Sequence, residues 1–398
     1  MDPREARRLE ALTQRLCAMT HCAPGLVHVV RSPLRICPLG AHVDHQLGRV
    51  TGFALDQALL LAYVPTRDGR VRLASGDFAG EVDFQLDAIG QARPGDWGNY
   101  PRGAARVLRD AFGITTGIVG VLGGPMPIGG LSSSAAVDVA YLLALEQANG
   151  LEVDPVDNVR LAQRIENDYI GLRNGILDQS MILLSRRGSL TLLDCLEGGV
   201  SHIPNPAGHR FDLVVVFSGI SRSLVGTDYN QRVSQCQQAA RLLLERAGLP
   251  ADEQSRLRHV PIEAADTEAL PEPLARRARH YFGEQRRVTE GAAAWAAGDL
   301  AAFGALMRES GESSIHNYEC GSPHLTSLHA TLNAIPGVWG ARFCGAGFGG
   351  SAVALAHPDA RERIVAAVNR TYPKEHPDVK SSFSLHFVAT TDAAEVLR

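Results

Sequence analysis

Residues 123–143 read "GGPMPIGGLSSSAAVDVAYLL", and this stretch restricts the fold more than any other. Four glycines and two prolines exclude regular structure up to Leu131. Three serines then open an Ala/Val/Leu run with helical spacing, which Asn149-Gly150 stops. The first N–H groups of a helix are unpaired and carry the positive end of its dipole, so they favour an anion. Glycines let the backbone approach a phosphate closely. Serine hydroxyls add donors and are able to ligate Mg²⁺. Two readings compete, a capped helix behind a plain loop or an anion site. No GxxxxGK[ST] occurs, so this is not a Walker-type loop.

The rest of the chain supplies strands and helices in mixture. "GLVHVV" and "ALLLAYV" read as buried strands with turn chemistry at "QLGR" between them. "DPVDNVRLAQRIENDYIG" reads as a helix opened by Asp154 with Pro155 in its first turn. "SLTLLDC" and "FDLVVVFSG" are strands, the second apolar throughout as in a sheet interior. Helices "DYNQRVSQCQQAARLLLERAG" and "RRVTEGAAAWAAGD" and strands "GARFCG", "SAVALA" and "SLHFVA" follow. With 398 residues, the expectation is an α+β protein of two domains, 1–205 and 206–398, divided near "NPAGHR".

Composition removes several function classes. A net charge of −4 gives no electrostatic case for nucleic acid. The N-terminus is a charged amphipathic helix without a secretory h-region, and no apolar run reaches membrane-spanning length. Seven scattered cysteines without a CxxC pair point to reduced thiols and a cytoplasmic location, and make zinc unexpected.

Three acidic or polar clusters remain. "RICPLGAHVDHQ" (35–46) holds two histidines, an aspartate and an arginine around Gly40. On an extended segment alternate side chains point opposite ways, so His42, Asp44 and His45 should not converge on one ion. Asp178, in "GILDQS", is either a helix N-cap or a general base. Glu166 lies beside the apolar stripe Leu161, Ile165, Tyr169. It is either an edge residue reaching water or a buried carboxylate with a partner.

These motifs resemble a known family. "PIGGLSSSAA" is similar to the second motif of the GHMP small-molecule kinases. "FCGAGFGGSAVAL" is similar to their third, and "RICPLGAHVDHQ" to the first in its galactokinase form. They occur in family order, along with "GDWGNYPRG", "GILDQS", "DYNQRVSQC" and "SSIHNYECGSPHL". The stretch from Pro127 to Gly130 is one residue shorter than the usual galactokinase loop.

The resemblance implies a two-domain GHMP kinase fold with ATP and sugar in the cleft between the domains. It implies Asp178 as the base that takes the anomeric proton, with Arg35 beside it. It implies Ser134 and Glu166 as Mg²⁺ ligands, twelve positions separating Glu166 from Asp178. Trp97 is implied at the adenine, and Gly129, Gly130, Ser132, Ser133, Ser134, Gly347 and Gly349 at the nucleotide. His42, Asp44, Gly175 and Tyr229 are implied at the sugar. The partners are then small molecules, a sugar and ATP, with a homo-oligomer left open.

One residue departs from the galactokinase pattern. The position before the motif histidine is a glutamate in galactokinases, directed at the C6 hydroxyl; here it is Ala41. A carboxylate there would repel a substrate carrying its own C6 carboxylate, and alanine removes that repulsion. The segments "GLRNGILDQS" and "SSIHNYECG" likewise look closest to galacturonokinases, which make galacturonate 1-phosphate. Arg222, Arg173 and His42 are candidates to meet that carboxylate. A galactokinase with an altered C6 pocket and a non-catalytic sugar sensor are the competing readings.

Overall fold

Apolar segments from both halves of the chain build two sheets in a computed structural model that describes residues 2–125, 130–206, 210–220 and 228–397. The first half contains α1 (Pro3–Thr20), β1 (His28–Ile36), β2 (Arg49–Thr66), β3 (Arg70–Ser75), β4 (Glu81–Gln85), α2 (Asn99–Phe112) and β5 (Gly117–Gly123). It continues through α3 (Ser133–Ala148), α4 (Pro155–Arg164), α5 (Leu177–Leu184), β6 (Ser189–Asp194) and β7 (Val200–Pro204). The second half contains β8 (Asp212–Phe217), α6 (Tyr229–Arg246), α7 (Leu274–Ala297), α8 (Leu300–His316), α9 (Pro323–Asn333) and β9 (Val338–Cys344). It ends with β10 (Ser351–Ala356), α10 (Arg361–Glu375), β11 (Ser384–Val388) and β12 (Glu395–Val396). The content is mixed α+β, as the sequence leads one to expect.

The larger sheet runs β12-β1-β2-β5-β3-β4, with β6 and β7 attached through β2. β2 is long enough to serve three partners. Its first residues pair with β6 and its remainder with β1 and β5. The smaller sheet runs β11-β8-β10-β9 and is antiparallel throughout. β8 explains its own composition. Val214 and Val216 pack with α9 and α10, while Leu213 and Val215 face the main core, so both faces are dry. Trp295 joins the halves, its ring 5.3 Å from Phe53, 5.3 Å from Phe211 and 4.9 Å from Phe303. After β11 the chain crosses back, and Val396 pairs with Val30 of β1.

Local chemistry sets the helix starts. Asp154 caps α4 by accepting from Val156 N, with Pro155 first in the helix. α4 then widens into a π-helical turn, Ile165–Ile170, ended by Gly171 at φ +90°. The expected helix over 155–170 is thus not uniform. The extra residue per turn places Glu166 in a bulge, a feature often found at functional sites. α1 lays Leu12 and Leu16 against the larger sheet. Among the described residues no helix is long and apolar enough to cross a membrane.

"GLVHVV" and "ALLLAYV" do not form a simple hairpin. β1 continues past Pro33, where its register shifts, and delivers Arg35 to the sheet end. Residues 37–48 then form a loop rather than an extended strand. Gly40 sits at φ +90°, and a Cβ there would lie 2.7 Å from Val50 Cα. His42 has φ +61°, and Asp44–Gln46 is a 3₁₀ turn. The expectation of an extended first motif is therefore corrected, because its polar side chains find partners in both halves of the chain.

Candidate active site

The loops after β1, β5 and β9 meet around one cleft of about 790 Å³. Arg35, Ala41, His42 and Asp44 line it from the first motif, Gly130 and Ser132–Ser134 from the second, and Cys344–Gly347 with Gly349 from the third. The glycines allow the second and third loops to touch backbone to backbone. A Cβ on Gly130 would lie 2.6 Å from Ser351 N, and one on Gly345 2.8 Å from Gly130 O. No side chain fits between them.

Arg35 and Asp178 form the polar centre. Arg35 Nε donates to Asp178 Oδ1 at 2.8 Å, and Nη2 lies 2.7 Å from the same oxygen. The third nitrogen, Nη1, donates to Cys344 Sγ at 3.2 Å. The Ser132 hydroxyl donates to the other oxygen, Asp178 Oδ2. Burial alone would lower the Arg35 pKa, but Asp178 and the neighbouring thiols raise it above the ordinary arginine value. Asp178 is not an N-cap. Residue Ile176 holds that position without a side-chain bond, and Asp178 turns its carboxylate inward from the first turn of α5. Ser132 precedes α3 at φ +56°, a conformation unusual for serine, which brings its hydroxyl to the aspartate.

Glu166 is buried, which removes the reading as a water-reaching edge residue. Burial pushes its pKa up to about 7, and the charge of Asp178 adds to the rise. Asn174 and Gln179 donate to Glu166 Oε2, and Ser134 bonds to the same carboxylate. A buried carboxylate facing a second one is the setting a divalent cation relieves. Glu166 and Ser134 offer the hard oxygens that Mg²⁺ prefers, so the residues fit that ion.

The opposite wall is built on the first motif. Ala41 is only 4% exposed, and its carbonyl is 3.0 Å from His280 Nε2. His42 stacks on Tyr318 at 4.3 Å and places Nε2 3.3 Å from Cys320 Sγ. Burial, with His280 and Arg342 nearby, holds His42 well below the usual imidazole pKa, hence neutral. Asp44 Oδ2 accepts from Leu177 N at 3.2 Å, and burial followed by Asp178 lifts its pKa to about 6. Gly175 is not on the cleft wall but beneath it. A Cβ there would lie 2.5 Å from Asp44 Cγ, so only glycine lets Asp44 close in. Tyr229, first in α6, is buried and lines the cleft. His45 leaves the cleft and bonds Tyr318 Oη at 3.0 Å, so the motif histidines do not converge on one ion.

Trp97 stands at the mouth, half-buried, with Phe78 stacked 6.4 Å away and its Nε1 donating to Ala79 O at 3.3 Å. Gly347 has φ +82°, and a Cβ there would drive into Cys320 O. Gly129 and Arg222 lie outside the described residues. Arg173 is exposed and off the wall. Among the described lining residues Arg35 is the single lysine or arginine.

Several contributors had no readable sequence signal. Cys344 looked like part of a glycine loop but accepts from Arg35 and from Cys37 N at 3.3 Å. Glu284 lies in the middle of α7, yet accepts from Gly40 N at 2.8 Å and from Arg287 Nε at 2.7 Å. Burial pushes Glu284 up, but Arg287, His280 and Arg342 outweigh it and hold its pKa at about 2.

Residues 99–186 match the family model described as GHMP kinases N terminal domain, and residues 292–374 match GHMP kinases C terminal. The chain is 42% identical to a galacturonokinase of Arabidopsis thaliana, with 98% of each chain covered. It is 37% identical to a galactokinase of Roseiflexus sp. (strain RS-1), covering 82% of this chain and 83% of that one. The crystal structure of Lactococcus lactis galactokinase complexed with galactose superposes with a TM-score of 0.88 at 30% identity, covering 97% and 99%. Methanococcus jannaschii mevalonate kinase shares the fold at a TM-score of 0.65 and 15% identity.

Proposed function

Because this chain belongs to the GHMP kinase family and is a sugar kinase within it, we propose that it transfers the γ-phosphoryl group of ATP to the anomeric hydroxyl of D-galacturonate. The products are galacturonate 1-phosphate, ADP and a proton. Ala41 on the cleft wall is the observation that carries the choice of sugar.

Phosphoryl transfer needs positioning and charge more than covalent chemistry. Asp178 is the acceptor for the C1 hydroxyl proton. Arg35 occupies Oδ1 and leaves Oδ2 as the accepting atom once the Ser132 hydroxyl yields it. Asp44, His42 and Tyr229 orient the sugar hydroxyls. Ser132–Ser134, Gly129 and Gly130 cradle the phosphates at the start of α3, with Gly347 and Gly349 opposite, and Trp97 stacks the adenine. Ser134 and Glu166 hold Mg²⁺, which supplies charge neutralisation at the phosphates when bound. Ala41 leaves room for the C6 carboxylate, and Arg222 is the cation assigned to it. The same reading keeps the division at 1–205 and 206–398 and a cytoplasmic location, supported by seven free cysteines.

The deciding experiment is ADP release measured across galacturonate, galactose, glucuronate and N-acetylgalactosamine. Galacturonate should give the highest kcat/KM. A clear preference for galactose would replace this reading by a galactokinase with an altered C6 pocket. Sugar binding without turnover on any of the four would indicate a sensor.

A further inference from the structure

Three side chains far apart in sequence meet at the outer helical layer of the smaller sheet. His324 sits in the first turn of α9, His376 ends α10, and Asp378 lies in the turn after it. One ligand atom from each lies within 4.8 Å of the other two, and His324 Nε2 is 3.1 Å from Asp378 Oδ2. The two imidazole rings are 4.2 Å apart, and the Tyr372 ring closes the inner side 5.0 Å from His376.

A second observation points to a ligand. His376 Nε2 is buried and has no hydrogen-bond partner among the described residues. A buried polar atom left so costs about 1–3 kcal/mol, and native structures seldom tolerate it without a reason.

We propose that His324, His376 and Asp378 bind a divalent transition ion of the Zn²⁺ or Co²⁺ class, with water completing its shell. Two imidazoles and one carboxylate suit such borderline ions, whereas Mg²⁺ prefers an all-oxygen set like that of Ser134 and Glu166. Asp378 is exposed, so the ion enters from solvent.

The site connects to the cleft through a side-chain hydrogen bond followed by a backbone one. Tyr372 Oη, between the histidines and the sheet, donates to Ser218 O at 2.7 Å. Ser218 N in turn donates to Gly350 O of the third motif at 2.8 Å. Val379, next to Asp378, lies where a Cβ on Gly219 would come within 2.7 Å of it. An ion that pins the 376–378 turn to α9 therefore braces the strand end and glycine loop on one side of the cleft.

The test uses the full chain, stripped with chelator and without nucleotide. Co²⁺ is titrated in by visible absorption, Zn²⁺ by competition, and the melting temperature is followed for both. The expected result is one saturable equivalent with nitrogen-ligated Co²⁺ bands and a higher melting temperature. His376→Asn and Asp378→Asn should each weaken binding about 10-fold or more. Asp378→Asn changes an exposed side chain, and the chelated variant should melt like the chelated parent, which separates ligand loss from misfolding. Absence of saturable binding overturns the proposal. So does Co²⁺ binding that survives His376→Asn but disappears in Glu166→Gln, since the ion would then occupy the cleft.

Discussion

Ala41→Glu places a carboxylate where the proposed substrate brings its own. Residue 41 is nearly buried, lines the cleft, and has its carbonyl fixed against His280, so the new side chain cannot swing to solvent without crossing the sugar site. Arg35, the single cation on the described wall, is already bonded to Asp178 and Cys344. Two carboxylates about 4 Å apart at an effective dielectric of about 20 repel by about 4 kcal/mol. The glutamate has one escape, taking up a proton. Carrying its pKa from about 4.3 to 7 also costs about 4 kcal/mol. Either route lowers kcat/KM for galacturonate about 10³-fold. For galactose the same group accepts from the C6 hydroxyl, and a hydrogen bond to a charged group contributes about 1.5–3 kcal/mol, or about 10- to 100-fold. Coupled ADP release with both sugars measures the two ratios, and a thermal melt verifies the fold. A folded Ala41→Glu enzyme with unchanged kcat/KM on galacturonate would refute the reasoning.

Other perturbations reach the remaining parts of the site. Asp178→Asn should lower kcat about 10²–10⁴-fold while calorimetry still detects sugar binding; full activity would remove Asp178 as the base. Cys344→Val leaves Arg35 Nη1 and Cys37 N without their acceptor, a loss of about 1–3 kcal/mol, and Cys344→Ser should recover part of it in both melting temperature and kcat. Glu166→Gln should raise the Mg²⁺ concentration needed for half-maximal rate, read from a magnesium titration at fixed ATP. Burial depresses His45 to about 3 and His280 to about 4, whereas an unfolded chain protonates both near 6.5. Below pH 6.5 the unfolded state therefore binds more protons, and the stability they contribute is lost as pH falls toward 4. His280→Asn should flatten that limb of a urea-midpoint-versus-pH curve by roughly 3 kcal/mol at most; an unchanged slope would contradict the assignment.

Much of the fold was legible because its signals are local. Asp154 with Pro155, the serine-led start of α3 and the apolar run of β8 each announce an element within a few residues. The α+β content follows from their alternation. The glycine loops were legible as loops, though not as partners, since nothing in "GLSSS" says that Gly130 O abuts Gly345. The first motif misled in its backbone. Its extended reading failed because Glu284, 244 residues away, captures Gly40 N and because His42 takes a positive φ.

The sequence by itself determined the chemistry available, which is a phosphate-compatible glycine–serine loop, a carboxylate in "GILDQS", and an alanine where the galactokinase pattern it resembles has a glutamate. Spacing and residue type are one-dimensional properties, and these features depend on little else. Only the tertiary structure decided which groups touch. It bonded Asp178 to Arg35 and so removed the cap from the two readings its residue type left open, buried Glu166 beside Ser134, and put Cys344 from the far end of the chain behind the arginine. The first and last of those contacts join segments more than a hundred residues apart. They exist because two sheets pack on one core, and no local pattern records that packing.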